Sequence, residues 1–201
     1  MLMRLKQPKR VLELGTFMGY SAVAVADGMP KGGVIYTCEK DPKAARLSRE
    51  LFEEHAYSPS TTDREVKERK DVAIEVVEGD GMAGLALLAR RNLRFDAVFL
   101  DADKVNYVNY YNFILDNDML TDEGYILADN VLFHGLILDS DQRRRKTTAA
   151  ASSPFSSTSS VFLKGNDNKD GNSDYDNWGF ELFQKFADHV DIFNKHVRSD
   201  P

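Results

Sequence analysis

The sequence predicts an α/β fold with a doubly wound, mostly parallel sheet. Five short apolar runs alternate with segments whose apolar residues recur at helical spacing. The runs are nearly continuous in apolar residues, as strands are when helices cover both faces of a parallel sheet. The chain has 201 residues, which is the size of one domain with one sizeable core.

The predicted strands and helices follow one another along most of the chain. The strands are Val11–Leu14, Val34–Cys38, Val72–Val77, Ala97–Leu100 and Tyr125–Ala128. The helices between them are Ser21–Met29, Pro42–His55, Met82–Arg91 and Val105–Asn117. A further amphipathic helix is predicted at Trp178–Val197, where six apolar residues recur at helical spacing: Phe180, Phe183, Phe186, Ala187, Val190 and Phe193.

Two polar stretches interrupt this alternation. Tyr57–Asp71 is rich in Ser, Thr and charged residues and is predicted to be an exposed loop or a helix extension. From about residue 139 to residue 177 the sequence is first basic, then rich in Ser, Thr and Ala, and then rich in Gly, Asn and Asp. Such a composition cannot bury enough apolar surface to offset the loss of chain entropy. We therefore predict a disordered insertion there, within a single domain spanning residues 1–201.

The charge and the apolar content of the sequence limit the kinds of binding partner and the cellular location that we expect for the protein. The formal net charge of −6 and the pI of about 5.3 argue against a nucleic-acid binder that neutralises phosphates. No apolar run reaches the ~18 residues of a bilayer-spanning helix, and Met1–Arg10 lacks the apolar core of a signal peptide. The single cysteine, Cys38, lies in an apolar run, which suggests a buried, reduced thiol. We expect a cytoplasmic protein with a small-molecule partner and with neither nucleic-acid nor membrane partners.

The strongest local motif directly follows the first predicted strand. It reads Glu13-Leu14-Gly15-Thr16-Phe17-Met18-Gly19-Tyr20-Ser21. Gly15 and Gly19 permit a tight turn and close approach of a ligand, and the next helix begins with free N–H groups. The spacing G-x-x-x-G differs from the G-x-G-x-x-G of dinucleotide-binding folds, in which a pyrophosphate lies at the helix N-terminus. Glu13 disfavours an anionic ligand and favours a cationic one, such as a sulfonium with an amino group.

An acidic residue after the second strand indicates a ribose site. Glu39 follows that strand at a distance from Gly15 where a carboxylate can accept hydrogen bonds from both ribose hydroxyls. Together with the glycine loop it indicates an adenosine site, and the alternative is a strand-end Glu beside ordinary turns. Gly81, in the turn Gly79-Asp80-Gly81, would border the adenine; a plain turn is an equally good interpretation.

Oxygen-bearing side chains follow the fourth and fifth predicted strands. Asp101 follows the fourth strand, and Asp129 and Asn130 follow the fifth. If these strands are neighbours, their ends lie about 4.8 Å apart, so that the three side chains converge on one cation. Hard oxygen ligands without Cys or His favour Mg²⁺, Mn²⁺ or Ca²⁺. The alternative for each residue by itself is a helix cap or a turn.

Lys104 stands where the helix after the fourth strand should begin. A cation at a helix N-terminus opposes the helix dipole, so something other than helix stability favours a lysine there. Its amine could take the proton of a phenol. The alternative is a solvated lysine.

The four motifs, in this order, resemble the metal-dependent O-methyltransferases that include catechol O-methyltransferase and the caffeoyl-CoA O-methyltransferases. The resemblance rests on V-L-E-L-G-T-F-M-G-Y-S, Y-T-C-E-K-D-P, F-L-D-A-D-K-V-N-Y and L-A-D-N-V-L-F-H-G, and it extends from about Arg10 to Gly135. It implies a Rossmann-like methyltransferase fold, S-adenosylmethionine as the methyl donor and Mg²⁺ as the usual metal. It also implies a dimer as one option for assembly.

The resemblance assigns roles by position. The residues implied in donor binding are Glu13, Gly15, Phe17, Ser21, Glu39, Gly81, Asp101 and Asp103, with Asp103 near the amino-acid end of the donor. The residues implied in metal binding are Asp101, Asp129 and Asn130. Lys104 and Asp101 are the implied catalytic residues, with Lys104 as the general base. His134 falls where related enzymes contact the substrate, and a loop histidine without a role is an equal alternative.

The function implied is methyl transfer from S-adenosylmethionine to a hydroxyl of a catechol-like or caffeoyl-CoA-like ortho-dihydroxy aromatic. Only about ten residues precede the first predicted strand, and the chain ends before the last two strands of the family. We therefore expect the N-terminal lid helices and the C-terminal strand hairpin to be lacking. The alternative function is a truncated, catalytically impaired adenosylmethionine-binding or scaffold protein. A nicotinamide dehydrogenase would share the fold but needs the other glycine spacing.

Overall fold

Five parallel strands form the sheet of the first part of the chain. The computed structural model describes residues 2–55, 57, 71–132 and 173–200. These residues belong to two compact units, Met1–Asn130 and Val131–Pro201. Most of the predicted loop at Tyr57–Asp71, and the predicted insertion as far as residue 172, lie outside the described residues, as does His134.

The sheet has the strand order β3-β2-β1-β4-β5, and all of its pairings are parallel. The strands are β1 (Arg10–Leu14), β2 (Val34–Glu39), β3 (Ala73–Glu78), β4 (Phe95–Leu100) and β5 (Leu120–Ala128). The pairing of β4 with β5 is irregular between Phe95 and Ala97. The predicted parallel sheet of a Rossmann-like α/β fold is confirmed.

Four helices lie between the strands, as predicted, and one more lies at each end of the described chain. They are α1 (Leu2–Lys6), α2 (Tyr20–Ala26), α3 (Pro42–Glu54), α4 (Gly81–Arg90), α5 (Tyr107–Asp116) and α6 (Ser173–Ser199), with a 3₁₀ turn at Lys104–Asn106. The sequence did not predict α1, because five residues are too few to show a helical period. Within the described ranges, no helix is both long enough and apolar enough to cross a bilayer.

Capping side chains explain where two of these helices begin. Asp41 accepts hydrogen bonds from the backbone N–H groups of Lys43 and Ala44, and Pro42 occupies the first turn of α3. Asp80 accepts one from Ala83 at the start of α4. Each cap lies two residues after the last residue of a strand, so the caps also fix the turns that border the candidate site.

The sheet is buried on both faces. The core on one face contains Val11, Ile35 and Ile74 from the strands with Ala22 from α2 and Phe52 from α3. Residues of the opposite strand parity, including Leu12, Leu14, Cys38, Val98 and Leu100, are also buried. Because strand residues alternate between faces, this second set lies on the other side of the sheet. The thiol of Cys38 is buried there, as predicted.

Helix α6 belongs to the second unit. It begins at Ser173, ahead of the predicted start at Trp178. Ala187, Val190 and Phe193 are buried as its amphipathic pattern predicts, whereas Phe183 is exposed. Asn194 donates a side-chain hydrogen bond of 2.8 Å to the carbonyl of Val131, so the helix is joined to the first residue of its own unit.

The strand order creates a switch point at β1. The chain passes from β1 to β2 on one side of it, and β4 lies on its other side. In open parallel sheets ligands bind at the carboxyl ends of the strands, at such a switch point. The loop after β1 is therefore the place where the fold favours a ligand.

We predict that Gly84→Ala destabilises the fold. A helix-interior Gly→Ala change ordinarily stabilises by ~1 kcal/mol. Here the new Cβ would lie 2.5 Å from Cys38 Sγ, so we expect a net loss of about 1–3 kcal/mol in the free energy of unfolding, as overpacked cores show. Unfolding in urea measures this change in the free energy of unfolding.

The control is the same substitution in a Cys38→Ala background, which removes the clashing sulfur. The loss caused by Gly84→Ala should be smaller there. Equal losses in the two backgrounds would show that the contact between α4 and β2 is not the cause.

Candidate functional site

The loop after β1 is fastened to β2 by backbone hydrogen bonds. The N–H groups of Gly15 and Thr16 both donate to the carbonyl of Cys38, at 3.0 and 3.1 Å. The N–H of Phe17 donates to the carboxylate of Glu39 at 2.7 Å. The loop therefore lies across the carboxyl end of β2 and has a defined path.

Two glycines of this loop stand where a side chain would collide with neighbours. Gly15 has φ +106°, and a Cβ there would lie 2.6 Å from the carbonyl oxygen of Asp101. Gly19 has φ +79°, and its Cβ would lie 2.6 Å from the ring of Phe52. Both positions thus require glycine for conformation and for space. At Gly15 the missing side chain brings the backbone after β1 against the backbone after β4.

Glu13 is a buried carboxyl at the end of the central strand. Its Oε2 accepts a hydrogen bond from the hydroxyl of Thr37, the residue paired with it on β2. The hydroxyls of Thr37 and Thr16 lie 2.6 Å apart, which extends the chain of polar groups into the loop. Among the described residues Glu13 Oε1 completes no hydrogen bond of ordinary geometry.

Burial raises the pKa of Glu13 to about 7. The nearby hydroxyls of Ser21 and Thr37 lower that pKa in part, and the negative charge of Asp101 raises it further. A cationic ligand would act against burial and favour the charged carboxylate. The hydroxyl of Ser21 lies beside the carboxyl of Glu13, so the structure brings these two predicted donor-binding residues together.

Glu39 links the two turns beside the loop. Its Oε2 accepts from Phe17 N–H and its Oε1 accepts from Asp41 N–H at 2.9 Å. Each carboxylate oxygen has a second acceptor position, so two hydroxyls could still bind. Phe17 has φ +47° and its ring is 74% exposed, so its backbone is tied to Glu39 while its ring stays open to a ligand.

Asp103 is held by two side chains of the following segment. Its carboxylate accepts hydrogen bonds from the hydroxyl of Tyr110 and from the amide of Asn106. Tyr110 in turn packs over Gly81, where a Cβ would lie 2.7 Å from the tyrosine ring. Gly81 therefore has a packing reason to be glycine, and this contact connects it to Asp103.

Lys104 lies between Asp101 and Tyr107. Its Nζ donates to Asp101 Oδ1 at 3.0 Å and to the hydroxyl of Tyr107 at 2.6 Å. The side chain is 12% exposed, which excludes the solvated lysine that the sequence left open. Burial, followed by the charges of Asp101 and Asp129, raises the pKa of Tyr107, so that its hydroxyl stays protonated.

The three candidate metal ligands lie on neighbouring strands. Leu100 pairs with Ala128, and the N–H of Asp129 donates to the carbonyl of Leu100 at 2.9 Å, so Asp101 and Asp129 follow adjacent strand ends. Asn130 has φ +57°, and its N–H donates to Asp129 Oδ1 at 2.7 Å. In the part of the chain that the structure describes, no three His, Cys, Asp or Glu side chains are grouped closely enough to hold a metal.

Sequence reasoning missed the residues that support these groups. Thr16, Thr37, Tyr107 and Tyr110 carry the hydroxyls that contact Glu13, Lys104 and Asp103. A signal existed for one of them, because Lys104 and Tyr107 are three residues apart and such residues share a helix face. Thr37 could be found only after the register of β1 and β2 was known.

Comparison with known proteins identifies the family of this site. The family profile described as O-methyltransferase matches residues 1–153. The chain belongs to the O-methyltransferase family. Among the curated relatives of this chain, O-methyltransferase ankF of Aspergillus thermomutatus is 37% identical over 135 residues, which cover 67% of this chain and 50% of that protein. Catechol O-methyltransferase of Niastella koreensis is 34% identical over 142 residues, covering 70% and 58%. The chain thus spans about half the length of the curated relatives it matches.

Solved methyltransferase structures share the fold of this chain. SAH-bound methyltransferase PaMTH1 of Podospora anserina superposes with a TM-score of 0.68 at 27% identity, over 100% of this chain and 67% of that one. O-methyltransferase TomG of Streptomyces achromogenes, in complex with SAM, gives a TM-score of 0.55 at 28% identity, over 76% and 66%.

We predict that Glu13 makes the stability of this protein fall as pH rises. Below pH 4.5, the ordinary pKa of the group, the carboxyl is protonated in both folded and unfolded chains; as pH rises towards 7 the unfolded chain ionises first. The free energy of unfolding of the wild type, minus that of Glu13→Gln, should fall by on the order of 3 kcal/mol over this range.

Urea unfolding at several pH values measures this difference, and the other titrating groups cancel in it. A difference that is constant from pH 4.5 to above pH 7 would show that the carboxyl of Glu13 ionises normally in the fold.

Proposed function

We propose that this protein transfers a methyl group from S-adenosylmethionine to a hydroxyl of a small ortho-dihydroxy aromatic, with the help of a divalent metal. The acceptor is catechol-like or caffeoyl-CoA-like, and Mg²⁺ is the metal. The observation that carries the proposal is the loop after β1, which joins a buried, incompletely hydrogen-bonded Glu13 to the carboxylate of Glu39 at the switch point of the sheet.

The donor site is supported by charge and by hydrogen-bonding capacity. Glu13 offers a buried acceptor for a cationic group, and Glu39 keeps acceptor positions for two hydroxyls. S-adenosylmethionine has a cationic sulfonium and amino group, which would interact with Glu13, and a ribose with two hydroxyls, which would bind Glu39. Family relatives crystallised with SAH and with SAM support the same ligand.

The metal proposal is supported by the chemistry of the donor atoms. Asp101, Asp129 and Asn130 offer hard oxygens at adjacent strand ends, and such a set favours Mg²⁺. The carboxylates of Asp101 and Asp129 have like charges, which a divalent cation would offset. These residues therefore fit a metal, which when bound would lower the pKa of a coordinated phenol.

Lys104 is positioned to take the proton of the acceptor. A neutral amine has two N–H donors and one lone pair. Its two described partners, Asp101 and Tyr107, accept two N–H bonds, which leaves the lone pair for a phenolic proton. Holding the acceptor and the donor together in the correct orientation would supply much of the rate enhancement.

We predict that the protein binds S-adenosylhomocysteine in calorimetric titration and that Glu39→Gln weakens binding about tenfold or more, the scale of one hydrogen bond to a charged group. Glu78→Gln is the matched control, because Glu78 pairs with Glu39 in the strand register but bonds to Arg49. Its affinity should equal that of the wild type. A wild-type protein that does not bind the ligand contradicts the proposed function.

We predict that methyl transfer to a catechol requires both the metal and Lys104. EDTA should abolish turnover and Mg²⁺ should restore it. Lys104→Met should lower kcat by about 100-fold or more, as loss of a general base does. Lys31→Met, at a lysine that is 86% exposed, is the control and should leave kcat unchanged.

Each outcome separates one part of the proposal. Full turnover after chelation would remove the metal role, and an unchanged kcat in Lys104→Met would remove the base. Binding of S-adenosylhomocysteine without turnover on a panel of ortho-dihydroxy aromatics would instead support the catalytically impaired adenosylmethionine-binding alternative.

A further inference from the structure

The hydroxyl of Tyr107 joins three parts of the candidate site. Tyr107 is fully buried at the start of α5. Its hydroxyl lies 2.6 Å from Lys104 Nζ, 2.8 Å from the carbonyl oxygen of Leu100 and 3.3 Å from that of Asp129. Leu100 is the last residue of β4, and Asp129 directly follows β5.

The single proton of the Tyr107 hydroxyl fixes the direction of these hydrogen bonds. A phenol has one proton to donate, and both carbonyl oxygens can only accept. The proton of Tyr107 is therefore directed at the strand ends, and the contact with Lys104 must use an N–H of the lysine and a lone pair of the phenol. Tyr107 is thus an acceptor for Lys104 and cannot serve as its proton source.

This arrangement orients the amine with respect to the strand ends. Lys104 follows Asp101 by three residues and could reach other positions on a flexible side chain. Bonds to Asp101 Oδ1 and to Tyr107 fix two of the directions around Nζ.

We infer that Tyr107 is a positioning residue for Lys104, holding its amine so that the remaining direction at Nζ faces the hydroxyl of the acceptor. The inference rests on the proposed function, because it assumes that Lys104 takes a proton from the acceptor. Because Tyr107 is fully buried, its effect on the acceptor would pass through Lys104. A small displacement of a reacting group can lower a rate by about 100-fold.

Tyr107→Phe tests the inference, because it removes the hydroxyl and keeps the buried ring. We expect kcat for methylation of a catechol to fall by about 10- to 100-fold. KM for the catechol and the Kd for S-adenosylhomocysteine should stay within about twofold, since the variant alters the position of the base and leaves binding groups in place.

Tyr57→Phe is the matched control for loss of a buried phenol hydroxyl. Tyr57 is also buried, and its hydroxyl donates to Asp27 at 2.8 Å. Urea unfolding should show a loss of stability in both variants, whereas only Tyr107→Phe should lower kcat. Equal kcat values for Tyr107→Phe and the wild type would overturn the inference.

A double-mutant cycle distinguishes positioning from a general structural effect. If Tyr107 acts through Lys104, the variant with both Tyr107→Phe and Lys104→Met should be no slower than Lys104→Met alone. Additive losses would overturn the inference even if Tyr107→Phe lowers stability. A wild-type protein without turnover would contradict the proposed function instead, so the two failures are distinguishable.

Discussion

The candidate site depends on the close approach of two backbone segments, the loop after β1 and the end of β4. Gly15 makes this approach, since any Cβ there would lie 2.6 Å from the carbonyl oxygen of Asp101. Because no side chain separates the segments, the loop turns within reach of both neighbouring strands and still donates two N–H bonds to Cys38 on β2. Glu13, Glu39 and Asp101 are thereby collected at one edge of the sheet.

This collection of carboxylates creates an electrostatic requirement. The pKa of Glu13 is raised by burial and, in smaller part, by the charge of Asp101. The pKa of Tyr107 is likewise raised by burial and then by the charges of Asp101 and Asp129. In its protonated form, Lys104 offsets part of this negative charge through its ion pair with Asp101. Like charges gathered in a partly buried site favour cationic ligands. A sulfonium nucleoside and a divalent cation would both offset the negative charge of this group of residues. The proposed donor site and the proposed metal site therefore support each other.

The sequence could predict the strands, the helices between them and the glycine loop, because each depends on local periodicity or on a single residue type. The sequence could also predict that Asp101 and Asp129 lie at the same edge of the sheet, because the carboxyl ends of parallel strands lie at one edge. It could not identify Thr37, whose role follows from pairing with Glu13 in a register that only the fold defines. The sequence allowed two interpretations of Gly81, a contact with adenine or a plain turn. The ring of Tyr110 gives a third reason for glycine there, because it occupies the space of a side chain.

Glu13 illustrates how stability and ligand binding are connected in this fold. A central strand that is buried on both faces would be more stable with an apolar residue. The hydrogen bond from Thr37 satisfies one carboxylate oxygen of Glu13, whereas Oε1 completes no hydrogen bond of ordinary geometry among the described residues. Violations of this kind concentrate at functional sites, where a ligand supplies the missing interaction. A cationic donor group would both hydrogen-bond Oε1 of Glu13 and favour the charged carboxylate. Burial raises the pKa of Glu13, and a cationic donor group bound beside it would lower that pKa.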